Sequence, residues 1–219
     1  MMAWLQKLFG SSIGKKLWMA LTGLLLLGFL VVHLAENLLL FSDRDGAAFD
    51  GYVHTLTSFA WIPLAELVLA GLFLAHIVQA IRVSLQNRAA RSTPYALNPG
   101  HGGRTLASKS MLVTGSIVLL FLILHLAQFR FGDAAARERM AALVRGEFEK
   151  PLVLAAYLLG LMALAIHLSH GIQSALQTLG LSHPRYTPLL QKLSVLIAVL
   201  LALGFASMPV YFFASGASR

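Results

Sequence analysis

The fold class this sequence predicts is an all-α membrane protein with five transmembrane helices. Composition is the first observation behind it. Of 219 residues, 58% are hydrophobic and 12% are charged, and the mean hydropathy is +0.74; a soluble domain carries about twice that charged fraction. The second is five apolar runs, each long enough to cross a hydrocarbon core of about 30 Å. In lipid the backbone must satisfy its own polar groups, so runs of this length are helices. The third is a sorting of lysine and arginine between alternate connections, which sets the orientation of the helices.

The first run, 17–41, is too long and too deep in the chain for a cleaved signal. It continues into Glu36 and Asn37 instead of a small-residue cleavage site, so it stays as the first helix. The runs 59–83, 111–131, 152–176 and 189–213 supply the other four, and residues 1–219 read as one transmembrane domain. Cysteine is absent. That excludes covalent c-type haem, cysteine-ligated iron–sulfur clusters and disulfides within this chain.

With the N-terminus in the cytoplasm, the inner segments carry Lys7, Lys15, Lys16, Arg82, Arg88, Arg91, Arg104, Lys109, Arg185 and Lys192, and no acidic residue. The outer loops mix Arg44, Arg130, Arg137, Arg139, Arg145 and Lys150 with seven acids, Asp43, Asp45, Asp50, Asp133, Glu138, Glu147 and Glu149. The N-terminus is therefore expected inside and the C-terminus outside. A net charge of +8 concentrated on the inner face reads equally as a docking surface for a cytoplasmic partner and as topology plus anionic lipid. Nucleic-acid binding is not expected, because the basic residues sit at helix ends, where topology requires them.

The first and third runs share a pattern. Thr22-Gly23 precedes His33-Leu34-Ala35, and Thr114-Gly115 precedes His125-Leu126-Ala127 at the same spacing, with Phe29 and Phe121 also in register. The second and fourth match more weakly: His76 with His167, Ile81 with Ile172, Gln86 with Gln177. We read a duplicated two-helix unit with the fifth helix outside it.

Histidine inside a membrane span is costly and marks a functional site by default. His33, His76, His125 and His167 each lie deep in a different run. At a rise of about 1.5 Å per residue, His33 and His125 fall roughly 21–24 Å from the cytoplasmic end, and His76 and His167 roughly 11–14 Å. Two pairs at two depths result. Facing imidazoles at one depth clamp a haem iron from both sides, so the first four helices are expected to form a dihaem bundle, with His33, His125, His76 and His167 as metal ligands. A structural zinc site would instead gather its ligands at one depth. His170, one turn from His167, is the rival ligand on the fourth helix. His54, His101 and His183 fall in loops and read as solvated.

Thr22 and Thr114 lie eleven residues before His33 and His125, on nearly the same helix face. Each hydroxyl is expected at the inner haem level, with Gly23 and Gly115 admitting the macrocycle; the plainer alternative is a hydroxyl bonded to its own i−4 carbonyl. Lys16, Arg82 and Arg130 are candidate partners for haem propionates, or simply interfacial snorkelling residues. Glu36, one turn outward of His33, is the first candidate for a proton donor near the outer haem edge; the alternative is a helix-end carboxylate among headgroups. Asp50 and His54 are weaker candidates. Glu66 reads as a protonated core group or part of a proton path.

These residues resemble the dihaem cytochrome b membrane anchor of succinate:quinone oxidoreductases, the succinate dehydrogenases and fumarate reductases. The resemblance covers nearly the whole chain, and its most specific stretches are His33-Leu34, Leu74-Ala75-His76, His125 and His167-Leu168-Ser169-His170-Gly171. The family's His-x-Ser-x-Gly pattern selects His167 over His170. The resemblance implies two haem b groups, a multi-pass location in a bacterial cytoplasmic membrane, and a quinone substrate, menaquinone more often than ubiquinone. For that quinone Glu36 is the first candidate proton donor, and an inner site near Arg82, Lys109 or His101 stays open. It also implies a flavoprotein and an iron–sulfur subunit on the cytoplasmic face, with the dicarboxylate chemistry on those partners. The glutamate that some members place two residues before the fourth-helix ligand is Ala165 here, so that proton route is not implied. Two other readings stand beside this one: the dihaem cytochrome b of another quinone-linked enzyme, such as a nitrate reductase or hydrogenase, and a haem-free anchor or transporter.

Overall fold

The structure is a computed structural model that describes residues 11–89, 106–133 and 136–216. Among these residues every regular element is a helix, with no strand. Five helices are long and apolar enough to cross a membrane, over Ile13–Phe41, Ile62–Gln86, Ser110–Arg130, Pro151–Thr178 and Thr187–Gly216. The chain is a multi-pass membrane protein by this measure.

Helix α1 (Ser12–Asn37) starts where the Ser11 side chain accepts a hydrogen bond from the Gly14 N–H, and it tightens into a 3₁₀ turn over Leu38–Phe41. Then comes α2 (Ala47–Ser58), which the apolar runs did not predict, since it has the length and polarity of a loop. Both oxygens of Asp43 cap its start, accepting from Gly46 N (2.6 Å) and Ala48 N (2.7 Å). The second span, α3 (Ile62–Ala89), begins three residues later than the apolar run, because Phe59 is extended and a turn intervenes. The third, α4 (Leu106–His125), widens into a π-helical turn over Leu126–Arg130, closed by Phe131 N–H to the Leu126 carbonyl at 2.8 Å.

A 3₁₀ turn (Ala136–Arg139) and α5 (Met140–Phe148) form a second unpredicted cap. The last two spans are α6 (Pro151–Thr178), with proline in its first turn where no N–H is needed, and α7 (Thr187–Gly216). Spans run past the apolar limits mostly at their polar ends, because apolarity reports the hydrocarbon core while helical hydrogen bonding continues beyond it.

Helix α1 packs on α3 and on α6, α4 packs on α6, and α7 packs chiefly on α6. Around the bundle the order is α3–α1–α6–α4, so α1 faces α4 diagonally and α3 faces α6. The closest approach of α4 and α6 depends on Gly160: a β-carbon there would stand 2.5 Å from Cγ of Phe121. The end where α1 begins is called the near end below, and the opposite one the far end. The far end is closed by α2 and α5, whose Phe49, Val144 and Phe148 join Leu40, Tyr157 and Phe212 in a buried cluster. Outward faces carry exposed Leu64, Leu67, Leu120 and Leu203, as a lipid solvent permits.

Candidate functional site

The diagonal arrangement brings four span histidines together two by two. His33 on α1 meets His125 on α4 with ring centroids 5.9 Å apart and planes at 88°. His76 on α3 meets His167 on α6 at 6.4 Å and 73°. The first pair lies toward the far end, the second toward the near end. A metal–imidazole bond is about 2.0 Å, and the ring centre stands about 1 Å behind the nitrogen. Two imidazoles on opposite faces of one metal therefore have centroids about 6 Å apart, close to both separations.

The second requirement on such ligands is that Nδ1 be occupied as a donor, which fixes the tautomer and leaves the Nε2 lone pair for the metal. Thr22 Oγ1 stands 3.2 Å from His76 Nδ1, and Thr114 Oγ1 3.4 Å from His167 Nδ1. Each hydroxyl already donates its single proton to the helix behind it: Thr22 to the Trp18 carbonyl (2.9 Å), Thr114 to the Ser110 carbonyl (3.0 Å). Toward the ring each oxygen can then only accept. The i−4 carbonyl bond, the plainer alternative in the sequence, is present in both threonines, and the group opposite each oxygen is an imidazole. The carbonyls of Met19 and Met111 are further acceptors beside the same imidazoles.

The repeated glycine has a related part. A β-carbon at Gly23 would lie 3.2 Å from His76 Cε1, and one at Gly115 3.4 Å from His167 Cε1. Each glycine gives room to an imidazole. Likewise Phe29 stacks on His33 (5.2 Å) and Phe121 packs on His125 (6.1 Å).

At the far pair the partners differ. His125 Nδ1 is 3.2 Å from the hydroxyl of Tyr157, which in turn bonds Gln128. His33 Nδ1 stands 3.9 Å from Glu36 Oε2, and Asn37 Nδ2 lies 3.3 Å from the same nitrogen while donating to the His33 carbonyl. Glu36 is a quarter exposed, and its other oxygen accepts a short hydrogen bond from Tyr52 on α2. Burial and the adjoining carboxylate push the Tyr52 phenol up to about 12. Sequence reading found Glu36 and missed Tyr52, Asn37, Tyr157 and Gln128.

Other candidates are placed as follows. Arg130 donates to both oxygens of Glu66, each at 2.9 Å, joining the far ends of α4 and α3. Glu66 thus lies at the edge of the bundle, about half exposed and paired with Arg130. Lys16 and Arg82 are exposed toward the near end. Asp50 accepts from the Ala141 N–H at 2.7 Å and so caps α5. His54 is exposed on α2, and His170 is half-buried on α6. In the near-end connection, the imidazole of His183 accepts from Arg185 N–H. His101 lies outside the described residues, as does the side chain of Lys109. Gln79, one turn from His76, is 8% exposed, and its amide oxygen is buried without a protein partner, a polar atom available to a group beside the near pair.

Compared with known proteins, the chain matches no family model, no curated protein and no solved structure.

Proposed function

We propose that this chain is the membrane-anchor cytochrome b of a succinate:quinone oxidoreductase. In that reading it holds two b haems, one between His33 and His125 and one between His76 and His167. The observation that supports it most is the convergence of four span histidines, one per helix, into two pairs at the separation a shared metal needs. The tautomers forced on His76, His167 and His125 support it further, because they leave Nε2 as the ligating atom. A haem clamped by two imidazoles supplies one-electron transfer with no open coordination position for oxygen chemistry.

The chain's own residues would orient the ligands and manage protons. Thr22 and Thr114 hold the near imidazoles, Gly23 and Gly115 give them room, and Tyr157 holds His125. Glu36, with Tyr52 on one oxygen and His33 near the other, is placed to hold a proton for a quinone at the far end, menaquinone in this proposal. Lys16, Arg82 and Arg130 remain proposed propionate partners, Arg130 sharing its guanidinium with Glu66. The flavoprotein and iron–sulfur subunit would dock on the basic near face, with the N-terminus in the cytoplasm of a bacterium.

The test is purification of the native complex with this chain tagged. The expected result is a flavoprotein and an iron–sulfur protein in stoichiometric amounts, with b-type absorbance that succinate reduces. A haem-containing chain accompanied by other redox subunits and unresponsive to succinate would assign it to a different quinone-linked enzyme. A chain without b-type absorbance would end the proposal.

A further inference from the structure

The far imidazole pair differs from the near one in what stands behind it. Behind His125 runs a chain of side-chain hydrogen bonds that ends on a carboxylate at the aqueous boundary. Tyr157 is 4% exposed and is boxed in by Phe121 and Phe148, both with ring centroids 5.0 Å away. Its hydroxyl lies 3.2 Å from His125 Nδ1 and donates to Gln128 Oε1 at 2.9 Å. Gln128 Nε2 donates to Glu147 Oε2 at 3.2 Å, and Lys150 Nζ takes the other oxygen at 2.5 Å. Glu147 is one-fifth exposed and Lys150 more than half.

The direction of every bond follows from proton supply. A carboxylate accepts only, so the amide nitrogen of Gln128 faces Glu147 and its oxygen faces Tyr157. That oxygen also only accepts, so the phenolic proton goes to it. The phenolic oxygen is left to accept from His125 Nδ1–H. All three donors point toward Glu147, an aligned series in which each bond polarises the next. Behind His76 and His167 the corresponding series ends, through Thr22 and Thr114, on neutral backbone carbonyls. A carboxylate drawing on the Nδ1 proton makes the imidazole a stronger donor through Nε2 and favours the more positive state of a metal bound there.

We infer that Glu147 is a positioning residue that acts on His125 through Gln128 and Tyr157, lowering the reduction potential of the far-pair haem relative to that of an otherwise equal site without the relay. This rests on the haem-ligating reading above. Glu36, at 3.9 Å from His33 Nδ1, biases the same pair in the same sense from the other side, and among the described residues no carboxylate contacts the imidazoles of the near pair.

Redox titration of the purified chain, following both b-type components, tests the inference. In Glu147→Gln, Gln128→Leu and Tyr157→Phe, the reduced-to-oxidised ratio of one component at fixed potential should rise threefold or more. That is about 28 mV upward for a one-electron couple at 59 mV per tenfold. The other component should stay in place. The double variant Tyr157→Phe/Glu147→Gln should shift no further than the larger single one, since both cut one series. Unchanged potentials in Glu147→Gln with both haems retained would overturn the inference and leave the haem reading intact. Additive shifts would also overturn it, because they mean that Glu147 acts directly as a charge. If Tyr157→Phe loses a haem, Glu147→Gln, which touches no ligand, decides. Absence of haem from the unaltered chain would overturn both readings.

Discussion

Substituting the glycines of the two Thr-Gly pairs is a graded test of how tightly the near imidazoles are held. Gly23 and Gly28 both lie within α1, but they face different surroundings. A β-carbon at Gly23 meets His76 Cε1 at 3.2 Å, at Gly115 it meets His167 Cε1 at 3.4 Å, and at Gly28 it meets nothing within 4 Å. Ordinary carbon contacts begin at about 3.5 Å, so His76 must retreat by about 0.3 Å and His167 by about 0.1 Å. Alanine in a helix is favoured over glycine by roughly 0.5–1 kcal/mol, which Gly28→Ala should show as a small gain in thermal stability. Crowding of this kind costs about 1–3 kcal/mol in a packed site, and the imidazole is tied on its other side to Thr22, so Gly23→Ala should be net destabilising by about 1 kcal/mol. Gly115→Ala should fall between the two. Thermal unfolding in detergent is expected to give the order Gly28→Ala, Gly115→Ala, Gly23→Ala from most to least stable. Equal behaviour of Gly23→Ala and Gly28→Ala would refute the close imidazole contact.

Three further outcomes follow from the contacts at the far end. Replacing Asp50 by alanine removes the oxygen that caps Ala141 N–H; the expected loss is about 1 kcal/mol, read as faster amide exchange over Met140–Phe148 than elsewhere. Breaking the Arg130–Glu66 pair by Glu66→Gln should lower the melting temperature, because the Arg130 guanidinium loses its bidentate carboxylate partner where the far ends of α3 and α4 meet; an unchanged melting temperature would mean that the pair does not hold that seam. Tyr52, held up at about 12 by burial and by the Glu36 carboxylate, keeps its proton more firmly when folded than when unfolded. Its contribution to stability is therefore full below about pH 10 and is lost as pH rises from there toward 12. Phenolate absorbance, taken as the difference from Tyr52→Phe, should show this titration, and Glu36→Gln should move it downward.

The spans were legible because a hydrocarbon solvent leaves a long apolar stretch no other use. The two histidine levels were legible because helical rise converts residue number into depth. His33 and His125, and His76 and His167, meet as the depths required, on helices that lie diagonally. The role of Thr22 and Thr114 was half legible: face and level followed from eleven-residue spacing, but the group they touch depends on which helix stands opposite. The caps were illegible. Helices α2 and α5 are short and polar enough to read as loops; Asp43 caps α2 from within its own connection, and α5 is held by Asp50 and Arg145 through tertiary hydrogen bonds that no local pattern encodes. Without α2 there is no Tyr52 on Glu36, and without α5 no Glu147 on Gln128. Tyr157 did leave a signal, a polar-tipped aromatic within an apolar span ten residues before His167, level with His125. Gln128 left less, since its reach depends on the π-helical turn after His125.

The proposed function requires that two pairs of imidazoles each hold a porphyrin iron. Extraction of haem as its pyridine complex from the purified chain, divided by protein concentration, measures it directly. Two b-type haems per chain are expected, falling to about one when His76 or His167 is replaced by leucine. Purified, folded chain with no extractable haem, or with two haems retained after either replacement, would contradict it.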